Sequence, residues 1–168
     1  MTNYKACCGN NWGWGTFANA PASGRWPNDG NALQHCNGII CSNSSGAGPS
    51  TPGDVRKNTI PFAEITDGLS NTFAVGEGVP AWSAWTWWYC NNASVSTCAI
   101  PLNYRKGIDP LASYSWNWDR NWGFYSQHPA GANFSLCDGA VRFIGDSIDL
   151  GVYRGLGSTS AQEVVSVP

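Results

Sequence analysis

The sequence predicts an α+β domain in which an antiparallel β-sheet dominates and the helices are short. Three observations support this class. Residues 72–77 alternate as a strand, two alternating runs flank Asp138-Gly139, and apolar residues recur every four positions after that hairpin. A chain of 168 residues is long enough for one domain, residues 1–168, to bury its own hydrophobic core.

The first part of the chain predicts loops with few regular elements. Residues 1–30 are rich in Gly, Asn and Trp and leave room for one short strand, and residues 42–54 form a surface loop. Pro61 can open a short helix that runs through Ile65, and Gly68 is placed to end it. The strand at 72–77 then begins the sheet.

Glu77 is the unexpected residue of that strand. Its parity places it on the same side as Phe73 and Val75, which predicts a carboxylate that points inward. A buried carboxylate requires a partner, because leaving it unpaired costs about 2 kcal/mol or more. The candidate partners are Arg142 and His128.

Residues 79–123 hold seven of the ten tryptophans and predict a strand-and-loop insertion in the sheet. Three roles remain open for these side chains. They could supply core packing, they could form a contact with a neighbouring subunit, or they could stack against sugar rings. The seven residues are Trp82, Trp85, Trp87, Trp88, Trp116, Trp118 and Trp122.

The strongest local signal is a β-hairpin within residues 131–157, which also contain the last helix. Asp138-Gly139 between alternating runs is typical of a two-residue type I′ turn. That turn pairs Phe134 with Phe143 and Leu136 with Val141. The pairing predicts that these four apolar side chains share one face of the sheet.

A short helix is predicted after the hairpin. Asp146 or Ser147 can cap it, and Ile148, Val152 and Leu156 recur along one side. Gly157 can terminate it. One further edge strand is predicted near residues 164–165.

The seven cysteines predict disulfides rather than a metal site. Cys36–Cys41 and Cys90–Cys98 span short loops, and no C-x2-C pair typical of zinc sites occurs. Local bridges of this kind indicate an oxidising compartment. Cys137 would pair with Cys8 or with Cys7, and the sequence leaves that choice open.

Composition limits the partners and the compartment. Charged residues make up 12% of the chain and the formal net charge is −2, so there is no basic stripe for nucleic acid. No apolar run approaches the roughly 20 residues that span a bilayer, and no signal peptide opens the sequence. The expectation is a secreted or cell-surface protein whose targeting segment has been removed.

Two segments resemble a known family. The spacing of His128, nine residues, and then Asp138-Gly139 is similar to the H-x9-DG motif of the prepilin-type processing-associated proteins. HPAGANFSLCDGAVRFIGDSIDLGVYRGLG and ITDGLSNTFAVGEG resemble the same family. These are secreted, planctomycete-type proteins of unassigned role. The resemblance implies the head of a pilin or pseudopilin, although the long apolar N-terminal helix of that fold is absent here.

Two sites need to be weighed on the residues themselves. His128 could be a catalytic base or a metal ligand, but the favoured role is structural, tying the hairpin to the last helix by hydrogen bonds. Asp67, Asn71 and Glu77 supply oxygens that could bind Ca²⁺, while the same segment also makes an ordinary turn. Apart from calcium, no cofactor is expected.

The leading functional hypothesis is a non-catalytic structural protein. It would be a pilin-like subunit of an extracellular filament or cell-surface layer, with other copies of itself or cell-surface proteins as partners. The alternative is a carbohydrate-binding module that captures polysaccharide on its tryptophans. A hydrolase ranks third, because no catalytic motif occurs and only three glutamates are present.

Overall fold

The fold is a five-stranded sheet with one α-helix and short 3-10 turns, seen in a computed structural model that describes residues 2–19, 36–40, 60–82, 94–104 and 121–160. The strand order is β3-β1-β2-β4-β5. The strands are β1 Tyr4–Cys7, β2 Phe73–Glu77, β3 Val95–Ser96, β4 Gly131–Leu136 and β5 Val141–Gly145.

The predicted dominance of β structure is confirmed, but the sheet is mixed rather than antiparallel. Three pairings are antiparallel, whereas β3 runs parallel to β1. The parallel pair arises because nearly ninety residues of chain separate β1 from β3, so no tight turn dictates their relative direction. The predicted edge strand near residues 164–165 lies outside the described residues.

The short helix predicted after Pro61 is a 3-10 turn, Phe62–Glu64, with Pro61 in the extended position just before it. Similar turns occur at Gly15–Phe17, Leu69–Asn71 and Pro80–Trp82. Gly68 does not end this turn as predicted, because the C-cap of the turn is Ile65; with a φ of 96°, Gly68 instead precedes the next turn, Leu69–Asn71.

The hairpin is confirmed, but its predicted register is wrong by one residue. Asn133 faces Phe143 and Phe134 faces Arg142. The loop has three residues, because the Leu136 amide donates to the Ala140 carbonyl at 2.8 Å. Three-residue hairpins commonly place glycine in the left-handed region at the end of the loop, and the φ of Gly139 is 87°.

The corrected register separates the two phenylalanines. Phe134 is fully buried, whereas Phe143 is 51% exposed and Val141 is 65% exposed. Phe134 and Leu136 therefore line the core face, and Val141 and Phe143 lie on the opposite face. We call this opposite face the outer face, and its residues are Tyr4, Ala6, Val75, Glu77, Asn133, Ser135, Val141 and Phe143.

Glu77 lies on the outer face rather than pointing inward as predicted. A register shift between Phe73 and Val75 interrupts the β2–β4 pairing. Val75 and Glu77 therefore lie on the face opposite to Phe73. Phe73 is fully buried, whereas Val75 and Glu77 are partly exposed. The parity argument failed because alternation holds only where the ladder is regular.

The α-helix α1 spans Leu150–Gly157 and closes the core. Its cap is Asp149, not the predicted Asp146 or Ser147, because the Asp149 carboxylate accepts from the amides of Gly151 and Val152. Gly157 is the last helical residue. Tyr153 and Leu156 are fully buried, and Phe134 packs between Phe73 and Tyr153.

A second cluster of buried residues lies at the other end of the sheet. It contains Trp12, Ile100 and Trp122, with the two indole rings 6.3 Å apart. Trp122 is 1% exposed, so of the three roles left open for the tryptophans it takes core packing and not a glycan or subunit surface. Such a bulky side chain fills volume that the few Leu and Ile residues leave empty.

Two of the three predicted disulfides are not formed, and the third, Cys36–Cys41, falls partly outside the described residues. Cys98 and Cys137 are thiols, as are Cys7 and Cys8, so the Cys90–Cys98 bridge and a bridge from Cys137 to Cys8 or Cys7 are not formed. The Cys98 sulfur lies beside Cys7 instead. Cys36 is disulfide-bonded to a cysteine outside the described residues, where its predicted partner Cys41 is also found.

No helix within the described ranges is both long and apolar enough to cross a membrane. The predicted insertion at residues 79–123 lies largely outside the described residues, which exclude 83–93 and 105–120.

Gly139→Ala tests the three-residue loop. A Cβ at this position meets nothing within 4 Å, so the only penalty is the left-handed backbone. We expect the free energy of unfolding to fall by about 1 kcal/mol, with much of the loss recovered in Gly139→Asn, which tolerates positive φ. Urea unfolding monitors both variants. Equal stability of Gly139→Ala and the parent would contradict the observed turn.

Candidate functional site

A cleft of about 370 Å³ opens where β1 begins and β2 ends, beside the segment that leads into β4. The cleft combines tyrosine rings with hydrogen-bonding side chains. Its lining consists of Asn3, Tyr4, Glu77, Gly78, Val79, Pro80, Tyr125, Ser126, Gln127, His128 and Pro129.

Glu77 is the best-connected polar group of the cleft. Its Oε2 accepts from the Asn133 amide at 2.8 Å, and its Oε1 accepts from the Asn133 side chain at 3.3 Å. The Nε2 of His128 lies 3.3 Å from the same Oε1. The Ser126 hydroxyl donates a further hydrogen bond to this carboxylate. Of the two predicted partners, His128 makes the contact and Arg142 does not.

These contacts set the protonation of Glu77. Burial alone raises its pKa, but the hydrogen bonds from Asn133 and Ser126 and the charge of His128 together lower the pKa below its ordinary value of 4.5. The ionised carboxylate is therefore stabilised by folding. This contribution is complete above about pH 4.5 and is lost as the pH falls through the folded-state pKa.

His128 joins β2 to the hairpin. Its ring lies beside Glu77 and makes an edge contact with Phe143 at 6.4 Å between centroids. These contacts do not include the last helix, and the chain turns at Ala130, whose φ is 58°, before β4 begins. The side chain remains 54% exposed and can contact a ligand in the cleft.

The cleft lacks the geometry of a Ser–His–acid triad. In such a triad the imidazole accepts a proton from the serine, and the acid orients the imidazole. Here the Ser126 hydroxyl donates to Glu77 and its oxygen accepts from the His128 backbone amide at 3.1 Å. The arrangement fixes these polar groups by hydrogen bonds.

Aromatic side chains border the same cleft. Tyr4 is 60% exposed on its rim, and Trp82 meets Tyr125 edge-on with centroids 6.3 Å apart. Trp82 is the one described member of the predicted tryptophan surface that remains partly exposed. The others, Trp85, Trp87, Trp88, Trp116 and Trp118, lie outside the described residues.

The predicted calcium ligands do not form one site. Asp67 accepts from Ser158 at 3.1 Å near the start of β2, while Glu77 at the far end of β2 is engaged by Asn133 and His128. Asn71 ends a 3-10 turn between them. Within the part of the chain that the structure describes, no group of three or more His, Cys, Asp or Glu side chains could hold a metal ion.

Sequence reasoning missed the buried Lys5. It is 1% exposed on the core face of β1, opposite Gly76, and its Nζ donates to the Asn121 carbonyl. Burial lowers the pKa of Lys5 to about 7, while the nearby Cys8 acts in the opposite direction. The only available signal was parity, since Lys5 alternates with the partly exposed Tyr4 and Ala6 in a short strand.

Glu77→Gln tests the carboxylate network. We expect the variant to lose about 1 kcal/mol of stability at pH 7, because an amide cannot accept every bond that the carboxylate accepts. The difference from the parent should shrink as the pH falls below about 4.5, where Glu77 gains a proton. Glu64→Gln, at an exposed glutamate, is the control. Urea titrations at pH 7 and pH 3 measure both, and a pH-independent difference would contradict the network.

A family model described as "Protein of unknown function (DUF1559)" matches residues 10–151, which include β2, the hairpin and most of the cleft lining. No curated protein and no solved structure matches.

Proposed function

The chain belongs to the family described as "Protein of unknown function (DUF1559)", and from that premise we propose that it is a non-catalytic, extracellular structural subunit. In this proposal it assembles through protein–protein contact into a filament or cell-surface layer. The H-x9-DG resemblance supports the finer proposal of a pilin-like head. The single observation that carries the assembly is the exposed apolar edge formed by β5.

β5 is the edge strand of the five described strands; its two exposed outer-face residues are apolar, while the exposed Arg142 lies on its other face. Val141 and Phe143 are 65% and 51% exposed on the outer face. Soluble monomers usually protect such an edge with lysine, proline or a bulge, because an open apolar edge pairs with another chain. An edge strand of this kind favours a protein that pairs with a partner strand.

The backbone of β5 supports the same interpretation. Leu136 donates to Ala140, and Asp146 donates to Ala130, so the even-numbered residues of β5 form the ladder with β4. By the alternation of antiparallel pairs, the amides of Val141, Phe143 and Gly145 then point away from β4. They are directed to the side of β5 on which no described strand lies.

The occupant that we propose for this edge is β5 of a second copy of the chain. A two-fold axis midway between the Phe143 residues of the two copies would pair the two β5 strands antiparallel. It would place the two Phe143 rings side by side. The formal net charge of −2 gives little electrostatic repulsion between copies. A filament or layer would use this contact together with at least one other.

Sedimentation velocity of Phe143→Lys tests the edge contact. In the proposed pairing the two introduced lysines face each other, so we expect the dimer to dissociate at concentrations where the parent is dimeric. Phe62→Lys is the matched control, because Phe62 is 69% exposed but lies on a 3-10 turn outside the sheet. Equal association of both variants and the parent would overturn the edge contact. Electron microscopy of native material should reveal filaments or layers, and monomers alone would refute the assembly.

The cleft supports a second candidate function, capture of polysaccharide. An exposed tyrosine face beside hydrogen-bonding side chains suits a sugar ring, whose faces are apolar and whose rim carries hydroxyls. Tyr4 would supply the stacking surface, and Glu77 and His128 would accept and donate hydrogen bonds.

Binding of soluble polysaccharides, followed by tryptophan fluorescence, tests this candidate. Trp82 contacts Tyr125 of the cleft wall and should report occupancy. We expect Tyr4→Ala to weaken binding about tenfold or more, while Trp14→Ala, at a 47% exposed residue away from the cleft lining, should bind like the parent. No binding across a broad polysaccharide panel would reject it.

A further inference from the structure

Two buried cysteine thiols lie side by side in the core. The Sγ atoms of Cys7 on β1 and Cys98 just after β3 are 3.7 Å apart, and both residues are fully buried. The Cys98 amide donates to the Gly9 carbonyl at 2.8 Å, so the two backbones are held beside each other. A disulfide needs an S–S distance of about 2.05 Å, which leaves a gap of roughly 1.7 Å for side-chain movement to close.

The other described thiols are less well placed. Cys8 points to the opposite side of β1, where its Sγ donates to the Ser96 carbonyl at 3.0 Å. Cys137 lies in the hairpin loop, where its amide donates to the Thr72 carbonyl, and burial together with the nearby Cys7 raises the pKa of Cys137 to about 12. Geometry therefore favours Cys98 over Cys137 as the partner of Cys7.

We propose that Cys7 and Cys98 are a redox site that closes to a disulfide when the protein meets a small-molecule disulfide such as oxidised glutathione. One protein thiolate attacks the external disulfide, forms a mixed disulfide and releases one small thiol. The second protein thiolate then attacks the mixed disulfide and releases the other small thiol. The two cysteines lose two electrons and two protons, and the external disulfide becomes two thiols.

The C-terminal end of α1 covers this pair. A Cβ on Gly157 would lie 2.8 Å from the Cys98 Cβ and 2.9 Å from its Sγ, and the Cys7 thiol donates to the Gly157 carbonyl at 3.8 Å. Only glycine allows the helix to pack this closely. Exchange therefore proceeds before α1 docks or when it opens, and the closed bond is protected from reductant in the folded protein.

The test compares the fully reduced protein with protein refolded in oxidised glutathione. Peptide mapping by mass spectrometry should find the peptide of Cys7 joined to that of Cys98, with a mass 2 Da below the sum of the reduced peptides. The link should resist dithiothreitol under native conditions and yield in denaturant. Because the loop spans about ninety residues, we expect the melting temperature to rise by roughly 10 °C.

Variants assign the partners without relying on stability. Cys8→Ser, the matched control at the neighbouring position, should keep the link. Because Cys7 and Cys8 fall in the same peptide, this variant also shows which of the two is linked. Cys98→Ser should abolish it. A Cys7–Cys137 link, persistent glutathione adducts or unmodified thiols in the refolded parent would each overturn the proposal. None of these results depends on whether the chain assembles.

Discussion

Phe134→Ala is expected to lower the free energy of unfolding by about 3–5 kcal/mol, whereas Phe143→Ala should change it by less than about 1 kcal/mol. Phe134 is fully buried and stacks on Phe73 at 4.3 Å between ring centroids. It also makes edge contacts with Phe124 and Tyr153. Its removal leaves a cavity in the middle of the core that these rings can fill only in part.

The two variants together test the register of the hairpin. With a two-residue turn, Phe134 and Phe143 would lie on the same face of the sheet and would be equally buried. Denaturant unfolding of both proteins under identical conditions provides the measurement. Phe143 retains half of its exposure and contacts the partly exposed His128, so its truncation removes little buried area. Equal losses in the two variants would show that Phe143 is buried beside Phe134 and would contradict the hairpin described here.

Lys5→Met is expected to stabilise the protein by about 2 kcal/mol at pH 6. The Lys5 ammonium is fully buried, and desolvation lowers its pKa from 10.5 to about 7. Below pH 7 the folded protein must hold a charge in its core, with the Asn121 carbonyl as one hydrogen-bond acceptor. Methionine fills a similar volume without that charge.

The sign of the pH dependence follows from linkage. Between pH 7 and 10.5 the unfolded chain keeps the proton that folded Lys5 has released, so the parent gains stability with rising pH, by up to about 1.4 kcal/mol per pH unit. Lys5→Met lacks this gain, so its advantage over the parent of about 2 kcal/mol at pH 6 should be lost by about pH 9. Urea titrations across that range measure the difference. An advantage that stays constant with pH would show that Lys5 is not buried as a charge.

The hairpin shows how far a sequence pattern carries the fold. Asp138-Gly139 located the turn, because glycine there tolerates positive φ and the Asp138 carboxylate accepts from the Ala140 amide at 2.8 Å. The same dipeptide suits a two-residue and a three-residue loop. The apolar pattern could not choose between them, since Val141 and Phe143 are apolar yet lie on the outer face. Burial of the whole sheet decides the register.

The candidate site was predictable only where the chemistry was local. A carboxylate in a strand demanded a partner, and His128 was one of two candidates, because few cations are available. The cleft is formed by three segments that are far apart in the sequence, residues 3–4, 77–80 and 125–129. No local sequence pattern could therefore predict it. The Cys7–Cys98 neighbourhood is likewise created by the parallel pairing of β1 with β3. Spacing along the chain had favoured short loops instead.

Amide hydrogen exchange on β5 at several protein concentrations tests the central claim, that this edge binds a second copy. The amides of Val141, Phe143 and Gly145 should exchange quickly in dilute protein and slow at least tenfold once the dimer forms. Arg142 and Ile144, which pair with β4, should be protected throughout. Exchange at the three outward amides that is independent of concentration, while the protein still associates, would contradict the edge contact.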